Sequence, residues 1–414
     1  MPRATRNLHL LVAARTCSLC GDLVVPIAVP FAVLDVLGGG PTEIGLALGA
    51  QFAGVLVFLT VGGVYSDRSA PHHVMIVSDS VSALLQTAVA VLLATGRMSV
   101  PLLAALMFAT GSASAFHRPA TRALVPQIVE REALQAAHSR LGATGAAAVV
   151  LAPLAAGGLI PILGPAGVIA LDAATFVGSA LLITRISPCV PAQPPSTRRQ
   201  GVAQEVAEGW RELRARPWLW GSIAAAAGVE LLLSAPLATL APIVADRLYG
   251  GARGYSWLIA ACGAGAVVGG LTAARLRPRR PVLAANALVL PMALAPLVLA
   301  LEAPVAGAVV AYGVTGVCQG LFIALWYTAV SRAVPQEVQG RISAWDELGS
   351  FALRPAGHAM AGMAAGAVGT APILGTAAAA GLLLPLPVLL LKDVRTPLRE
   401  IDAQHTALSP TPPR

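Results

Sequence analysis

The chain has 414 residues, of which 56% are hydrophobic and only 12% charged, with a mean hydropathy of +0.73. A water-soluble domain carries about a quarter charged residues, so this composition excludes a soluble protein of two or three globular domains. The formal net charge of +8 is explained by membrane topology, set out below, and nucleic acid is not the partner it implies.

Apolar runs of about 20 residues are long enough to cross a bilayer as helices. In chain order they predict spans 1 to 6 over 9–36, 43–65, 74–95, 101–120, 137–160 and 165–185. Spans 7 to 12 follow over 218–246, 253–275, 281–301, 304–329, 342–367 and 370–391. The expected class is an all-α membrane protein of twelve transmembrane helices. Residues 1–185 form an N-terminal six-helix half and 218–391 a C-terminal one. Between them lies a central loop, 186–217, and a tail, 392–414, closes the chain. Within the loop, 203–216 (AQEVAEGWRELRAR) reads as a short amphipathic helix on the membrane surface.

Span 1 is longer than the apolar region of a signal peptide and lacks a small-residue cleavage site, so no cleaved leader is expected. The five cysteines do not space as a disulfide framework. Cys17 and Cys20 form a C-x-x-C without a second ligand pair, and read as small residues of a membrane helix.

The basic residues set the orientation. Of 28, only Arg97, Arg247 and Arg253 fall on one side of the predicted bundle, and the other 25 fall on the side of the termini. Both termini and the central loop are therefore expected in the cytoplasm, with the protein in the cell membrane, the inner membrane of a bacterium.

The halves repeat. GGVYSDRSAPHH at 62–73 aligns with GGLTAARLRPRR at 269–280 at an offset of 207, matching Gly62 with Gly269, Arg68 with Arg275 and Pro71 with Pro278. Val125-Pro126-Gln127 aligns with Val334-Pro335-Gln336 at an offset of 209. Two parallel six-helix repeats around a midplane site are an architecture of secondary transporters.

Four segments carry a family resemblance: RNLHLLVAARTCSLCGDLVVPIAVP in span 1, GGVYSDR in the 2–3 loop, AFHRPATRALVPQIVEREALQAAHSRL after span 4, and AVPQEVQGRISAWDELGSFALRPAG around the start of span 11. Through them the chain resembles the major facilitator superfamily, and within it the enterobactin-exporter-like and macrolide-efflux-like branch of proton-coupled exporters. GGVYSDR is similar to the superfamily's G-x-x-x-D-R-x-G-R-R/K signature. Here, however, Ser69, Ala70, Pro71, His72 and His73 follow Asp67-Arg68, and the arginine of drug antiporters is absent from 102–115 of span 4. The resemblance implies a gate at Asp67 and Arg68, with Gly62 and Gly63 allowing close helix approach and Arg341 serving the 10–11 loop.

Ionisable residues at membrane depth are costly and mark function by default. Asp22 lies halfway along span 1 and Glu230 halfway along span 7, its repeat partner, at an offset of 208. Two such carboxylates, facing one another across a cavity, suit proton coupling, since each can be neutral in one state and charged in another. The alternative is that each is capped by a neighbouring Arg, Ser or Gln. Arg354 and His358, four apart, share a face of span 11 and offer a counter-charge and a titrating group; a structural role near the cytoplasmic end is the alternative. Asp172 reads as structural and toward the outer surface. Asp346 and Glu347 read as first-turn acids favouring the dipole of span 11. Gln51, Gln86, Gln319, Trp326 and Tyr327 are candidates to line the cavity or to glue helices together.

A phosphate loop needs a lysine, and Lys392 is the only one, so the chain is not an ATP-driven pump. No cofactor, metal cluster or catalytic triad is indicated, and the protein is not expected to be an enzyme. The expected activity is proton-coupled efflux, by alternating access, of a small hydrophobic or amphipathic compound such as a drug, siderophore or natural product. A lipid or lysophospholipid transporter on the same fold is the second reading, and a non-transporting membrane scaffold or sensor the third. The partners are substrate, protons and the lipid bilayer, and the expected state is a monomer.

Overall fold

A computed structural model describes residues 3–129, 133–186, 209–334 and 336–395. It is 89% helical, without a strand among the described residues. The chain opens with α1 (Arg3–Phe31), which widens into a π-helical turn at Ala32–Val36. Next come α2 (Pro41–Arg68), α3 (Pro71–Ala94) and α4 (Val100–Ile128). Pro41 and Pro71 begin their helices where a missing N–H costs nothing. Glu43 fixes the start of α2 by accepting the Gly40 N–H at 2.8 Å.

Spans 5 and 6 run on as α5 (Leu134–Ile183). Fifty residues of helix would extend about 75 Å, against a hydrocarbon core of about 30 Å. The chain therefore reverses within α5, at Gly164, whose φ of +68° is left-handed backbone that favours glycine.

The second half begins with α6 (Pro217–Val229), a π-helical turn at Glu230–Ser234 and α7 (Ala235–Leu248), which together form span 7. Span 8 is α8 (Ala252–Ala273). Span 9 is broken into α9 (Pro281–Ala287), α10 (Val289–Met292) and α11 (Leu294–Ala300). Span 10 is α12 (Val305–Ala333). Span 11 starts earlier than expected, as α13 (Gln336–Ala352), and breaks at Leu353 before α14 (Arg354–Val368). Pro355 lacks an N–H and its ring crowds the carbonyl four residues earlier, which accounts for a break there. Asp346 and Glu347 consequently lie deep in α13, not in its first turn. Span 12 is α15 (Thr370–Leu383) and α16 (Pro385–Leu390), and the described chain closes with α17 (Lys392–Arg395).

Ten helical segments are long and apolar enough to cross a membrane among the described residues. One of them, α5, contains two crossings, and span 11 is too broken to qualify, so twelve crossings are accounted for. Leu84, Ile162, Leu271, Val310 and Leu390 are each more than 60% exposed. Such a coat suits hydrocarbon rather than water.

The chain packs into two compact units. The first comprises Met1–Thr197, Ala238–Ala260 and Arg354–Thr370. In it α1 and α3 lie against α5, and α2 lies against α4 on one side and α14 on another. Leu11, Met75, Leu124, Ile128 and Ile183 make its main apolar cluster. Glycines set the α2–α4 distance: side chains at Gly54 or Gly111 would strike the carbonyls of Phe108 or Gln51, and a methyl group at Gly62 would stand 2.7 Å from the Ala115 carbonyl.

The second unit comprises Arg198–Leu237, Ala261–Leu353 and Ala371–Arg414. There α12 packs against α9, α10 and α11, and α13 against α6, around Trp218, Leu219, Ile223, Trp326 and Ile342. Gly269, the repeat partner of Gly62, abuts the Val317 carbonyl, and Gly316 abuts that of Cys262. The sequence repeat is thus a repeated small-residue seam. Of the surface segment 203–216, residues 203–208 lie outside the described residues and 209–214 are helical. The Trp210 ring lies 5.0 Å from that of Trp345, tilted by 43°, and the Arg214 guanidinium lies 5.9 Å from the Trp210 ring.

Candidate functional site

Asp22 is exposed on α1, in the first unit, and Glu230 is half-buried in the second. Glu230 opens the π-helical turn of span 7. Such widened turns are rare and concentrate at functional positions.

Behind Asp22 the first unit holds a buried polar band. Asp172, on the α5 arm after Gly164, is 2% exposed, yet it faces Asp22, Thr175 and Gln86. Its carboxylate rests on the backbone of Gly21, where any side chain would collide with it and with Thr175. Gly21, lacking a side chain, supplies the room for it. Seven residues after Asp172 on α5 and seven before Gln86 on α3, Ser179 Oγ donates to Asp79 Oδ2 at 2.6 Å. The other oxygen, Asp79 Oδ1, stands 3.2 Å from His117 Nε2 on α4. Ser78 donates to the Ala113 carbonyl at 2.8 Å, tying α3 to α4. Sequence reasoning missed Asp79, His117 and Ser179. The signal was present: Ser78, Asp79, Ser82 and Gln86 recur at helical spacing in an otherwise apolar span.

A second cluster joins α2, α7 and α14 within the first unit. His358 is 3% exposed, its ring stacks on Phe52 at 5.0 Å and 4°, and its Nδ1 lies 2.8 Å from Thr239 Oγ1. Arg354 covers the same Phe52 ring at 5.4 Å. Gly45 and Gly49 bring α2 against the α14 backbone at His358 and Pro355. These contacts lie at the beginning of α2.

The remaining candidates are dispersed. Gln86 is 1% exposed, Gln51 is half-buried, and Gln319 is exposed. Trp326 is buried, and its Nε1 donates to Asp346 Oδ2 at 3.0 Å. Tyr327 is 57% exposed. Gly63, Asp67 and Arg68 belong to the last turns of α2 and Arg341 to α13, but their side chains lie outside the described residues. Among the described residues no group of three metal-binding side chains occurs.

The profile of the Major Facilitator Superfamily matches residues 11–357, most of the chain. The chain belongs to the Major Facilitator Superfamily. No curated protein matches the sequence significantly. Among solved structures, the chain is similar to a mutant of the nucleoside transporter NupG, with a TM-score of 0.78 at 10% identity, covering 93% of this chain and 100% of that one. It is also similar to a bacterial homologue of the iron transporter ferroportin in an inward-facing state, with a TM-score of 0.72 at 16% identity, covering 95% and 99%. A bacterial homologue of the lysosomal transporter Spinster, inward-facing and occupied, gives 0.70 at 13%, covering 98% and 97%. At these identities the likeness is one of fold.

As a Major Facilitator Superfamily member the protein is a multi-pass membrane transporter of small molecules and not an enzyme.

Proposed function

We propose that this transporter is a proton-coupled exporter of a small hydrophobic or amphipathic compound, of the enterobactin-exporter-like and macrolide-efflux-like kind. The observation that carries the reading is Asp22, an exposed carboxylate in the middle of α1. A carboxylate there is retained against its desolvation cost only if its charge is used. Glu230, at a widened turn of span 7, is its counterpart by repeat offset. Substrate and proton would exchange by alternating access. The arginine asymmetry supports cytoplasmic termini. The monomer is the proposed working state.

Two other readings remain distinct. A lipid or lysophospholipid carrier on the same fold would move substrate without drawing on these carboxylates. A scaffold or sensor would move none. Proteoliposomes loaded with a pH-sensitive dye, under an imposed pH gradient, separate the three. Challenged with hydrophobic antibiotics and siderophores, wild type is expected to show substrate-triggered proton flux that Asp22→Asn and Glu230→Gln lose. Substrate movement unchanged in both variants would favour the lipid carrier and reject proton coupling.

A further inference from the structure

Three helices of the first unit meet at the carboxylate of Asp79. Asp79 on α3 and Ser179 on α5 are both 0% exposed. Ser179 Oγ donates to Asp79 Oδ2 at 2.6 Å, and His117 on α4 brings Nε2 to 3.2 Å from Oδ1. Asp79 Oδ1 and His117 Nε2 are buried and have no other hydrogen-bond partner. The second ring nitrogen, Nδ1, lies 3.4 Å from Thr121 Oγ1. That hydroxyl commits its own proton to the His117 carbonyl, at 2.9 Å, so toward Nδ1 it acts as an acceptor. Both ring nitrogens therefore face acceptors. A neutral imidazole carries one hydrogen and would set its bare nitrogen lone pair against an oxygen lone pair. The imidazolium, with a hydrogen on each nitrogen, suits both contacts. An ionised Asp79 suits them equally, accepting from a hydroxyl at one oxygen and from a ring N–H at the other.

The surroundings favour a pair that is neutral as a whole, because an uncompensated buried charge is costly. Leu11, Met75, Leu124 and Ile183, from α1, α3, α4 and α5, form the apolar cluster beside it. From α2, Tyr65 packs edge-on against Phe116, the neighbour of His117, with ring centroids 6.1 Å apart. The other ionisable groups on these helices are set apart along them: His72 and His73 in the first turn of α3, Arg122 exposed on α4, and Asp172 seven residues before Ser179 on α5. Packing alone does not require an acid here. At the repeat offset of 207 from Asp79 stands Asn286, 3% exposed, which braces the second half as a neutral amide. Its Nδ2 donates to Ser222 Oγ at 3.1 Å and to the Val282 carbonyl at 3.0 Å. An ionisable pair in the first half, where an amide serves in the second, is a charge at membrane depth with a use.

We propose that Asp79 and His117 form a second proton-binding site, in which His117 holds one proton as an imidazolium ion paired with the Asp79 carboxylate. The proton enters at the His117 ring, whose side chain is 8% exposed against 1% for Asp79. On release it leaves Nε2 as a bare nitrogen, and Asp79 stays ionised. Uptake thus takes the pair from one negative charge to none. Ser179 holds the carboxylate in place in both states. The site goes beyond the proton-coupled reading of Asp22 and Glu230: it uses neither residue, and it is testable without substrate or transport.

The test is nitrogen NMR of the full chain in lipid at neutral pH, with histidine and aspartate isotopically labelled. Wild type is expected to show an imidazolium ring, both nitrogens protonated, with a through-space cross-peak from a ring N–H to an aspartate carboxyl carbon. That cross-peak assigns His117 in wild type itself, so the result stands even if a variant fails to fold. His117→Gln is expected to lose the signal. Asp79→Asn, which reproduces the amide of the second half and still accepts from Ser179, is expected to return the ring to a neutral tautomer. Asp22→Asn and Glu230→Gln are expected to keep the imidazolium. A neutral ring against aspartate in wild type, the absence of any such cross-peak, or an imidazolium signal undiminished in Asp79→Asn overturns the proposal. Replacing choline by sodium in the buffer must leave the signal unchanged; its loss would make Asp79 an alkali-cation site and reject the bound proton. An intact imidazolium together with absent substrate-driven proton flux would leave this site standing and reject the exporter reading alone.

Discussion

Ser179 grips Asp79 Oδ2 at 2.6 Å, in a setting where water does not replace a lost partner. Ser179→Ala is therefore expected to cost about 1–3 kcal/mol, read as a lower midpoint of thermal unfolding in detergent. Ser80→Ala, one residue beyond Asp79 and exposed, is the control and leaves the midpoint unchanged. A Ser179→Ala protein as stable as wild type would contradict a bracing role for the Ser179–Asp79 hydrogen bond between α5 and α3. Thr239→Val makes the same argument at His358, where removing the partner of a buried Nδ1 is expected to lower the midpoint similarly. At this scale the sequence was informative about residue type and poor about partners. Asp22 and Glu230 were legible because a lone carboxylate in an apolar run is conspicuous. The neighbours of Asp172 were not legible, because they lie on other helices and the space for its carboxylate comes from the missing side chain of Gly21. Asp79 met the same criterion as Asp22 but went unread.

Helix packing turns on glycine. Gly111 on α4 and Gly316 on α12 each meet a carbonyl of the facing helix, at Gln51 and at Cys262. Leucine at either position must push two helices apart, and overpacking of this kind costs about 1–3 kcal/mol or more. Gly111→Leu and Gly316→Leu are both expected to reduce folded yield and thermal stability. Gly178→Leu, where a side chain meets open space, is expected to have little effect. Equal tolerance at all three positions would refute the paired seam. Most helices were visible as apolar runs bounded by charge or proline, since hydrocarbon thickness fixes their length. The π-helical turns at Ala32–Val36 and Glu230–Ser234 were not visible, because one extra residue in a turn leaves composition untouched. The break at Leu353 was foreshadowed by Pro355, but the long apolar run after it masked the signal and hid the early start of α13.

At the scale of the whole chain, the arginine count makes a topological prediction. A cysteine at Gly96, in the 3–4 turn, is expected to react with an impermeant thiol reagent applied to intact cells, whereas one at Arg277, in the 8–9 loop, is expected to be protected until the cells are opened. The reverse pattern would invert the orientation and contradict the positive-inside reading. The repeat at an offset of 207 foretold two related halves, and Gly62 and Gly269 show its cause in equivalent close helix approaches. Substrate identity is another matter: it depends on side chains drawn from many spans, none of which forms a contiguous motif. The most direct measurement of the central claim compares two assays on wild type and Asp22→Asn in proteoliposomes, using one substrate found in the flux screen. These are accumulation driven by a pH gradient, and substrate counterflow with no gradient. The account predicts that Asp22→Asn loses gradient-driven accumulation while retaining counterflow, since binding and alternation survive without the proton. Gradient-driven accumulation at the wild-type level in Asp22→Asn would contradict it.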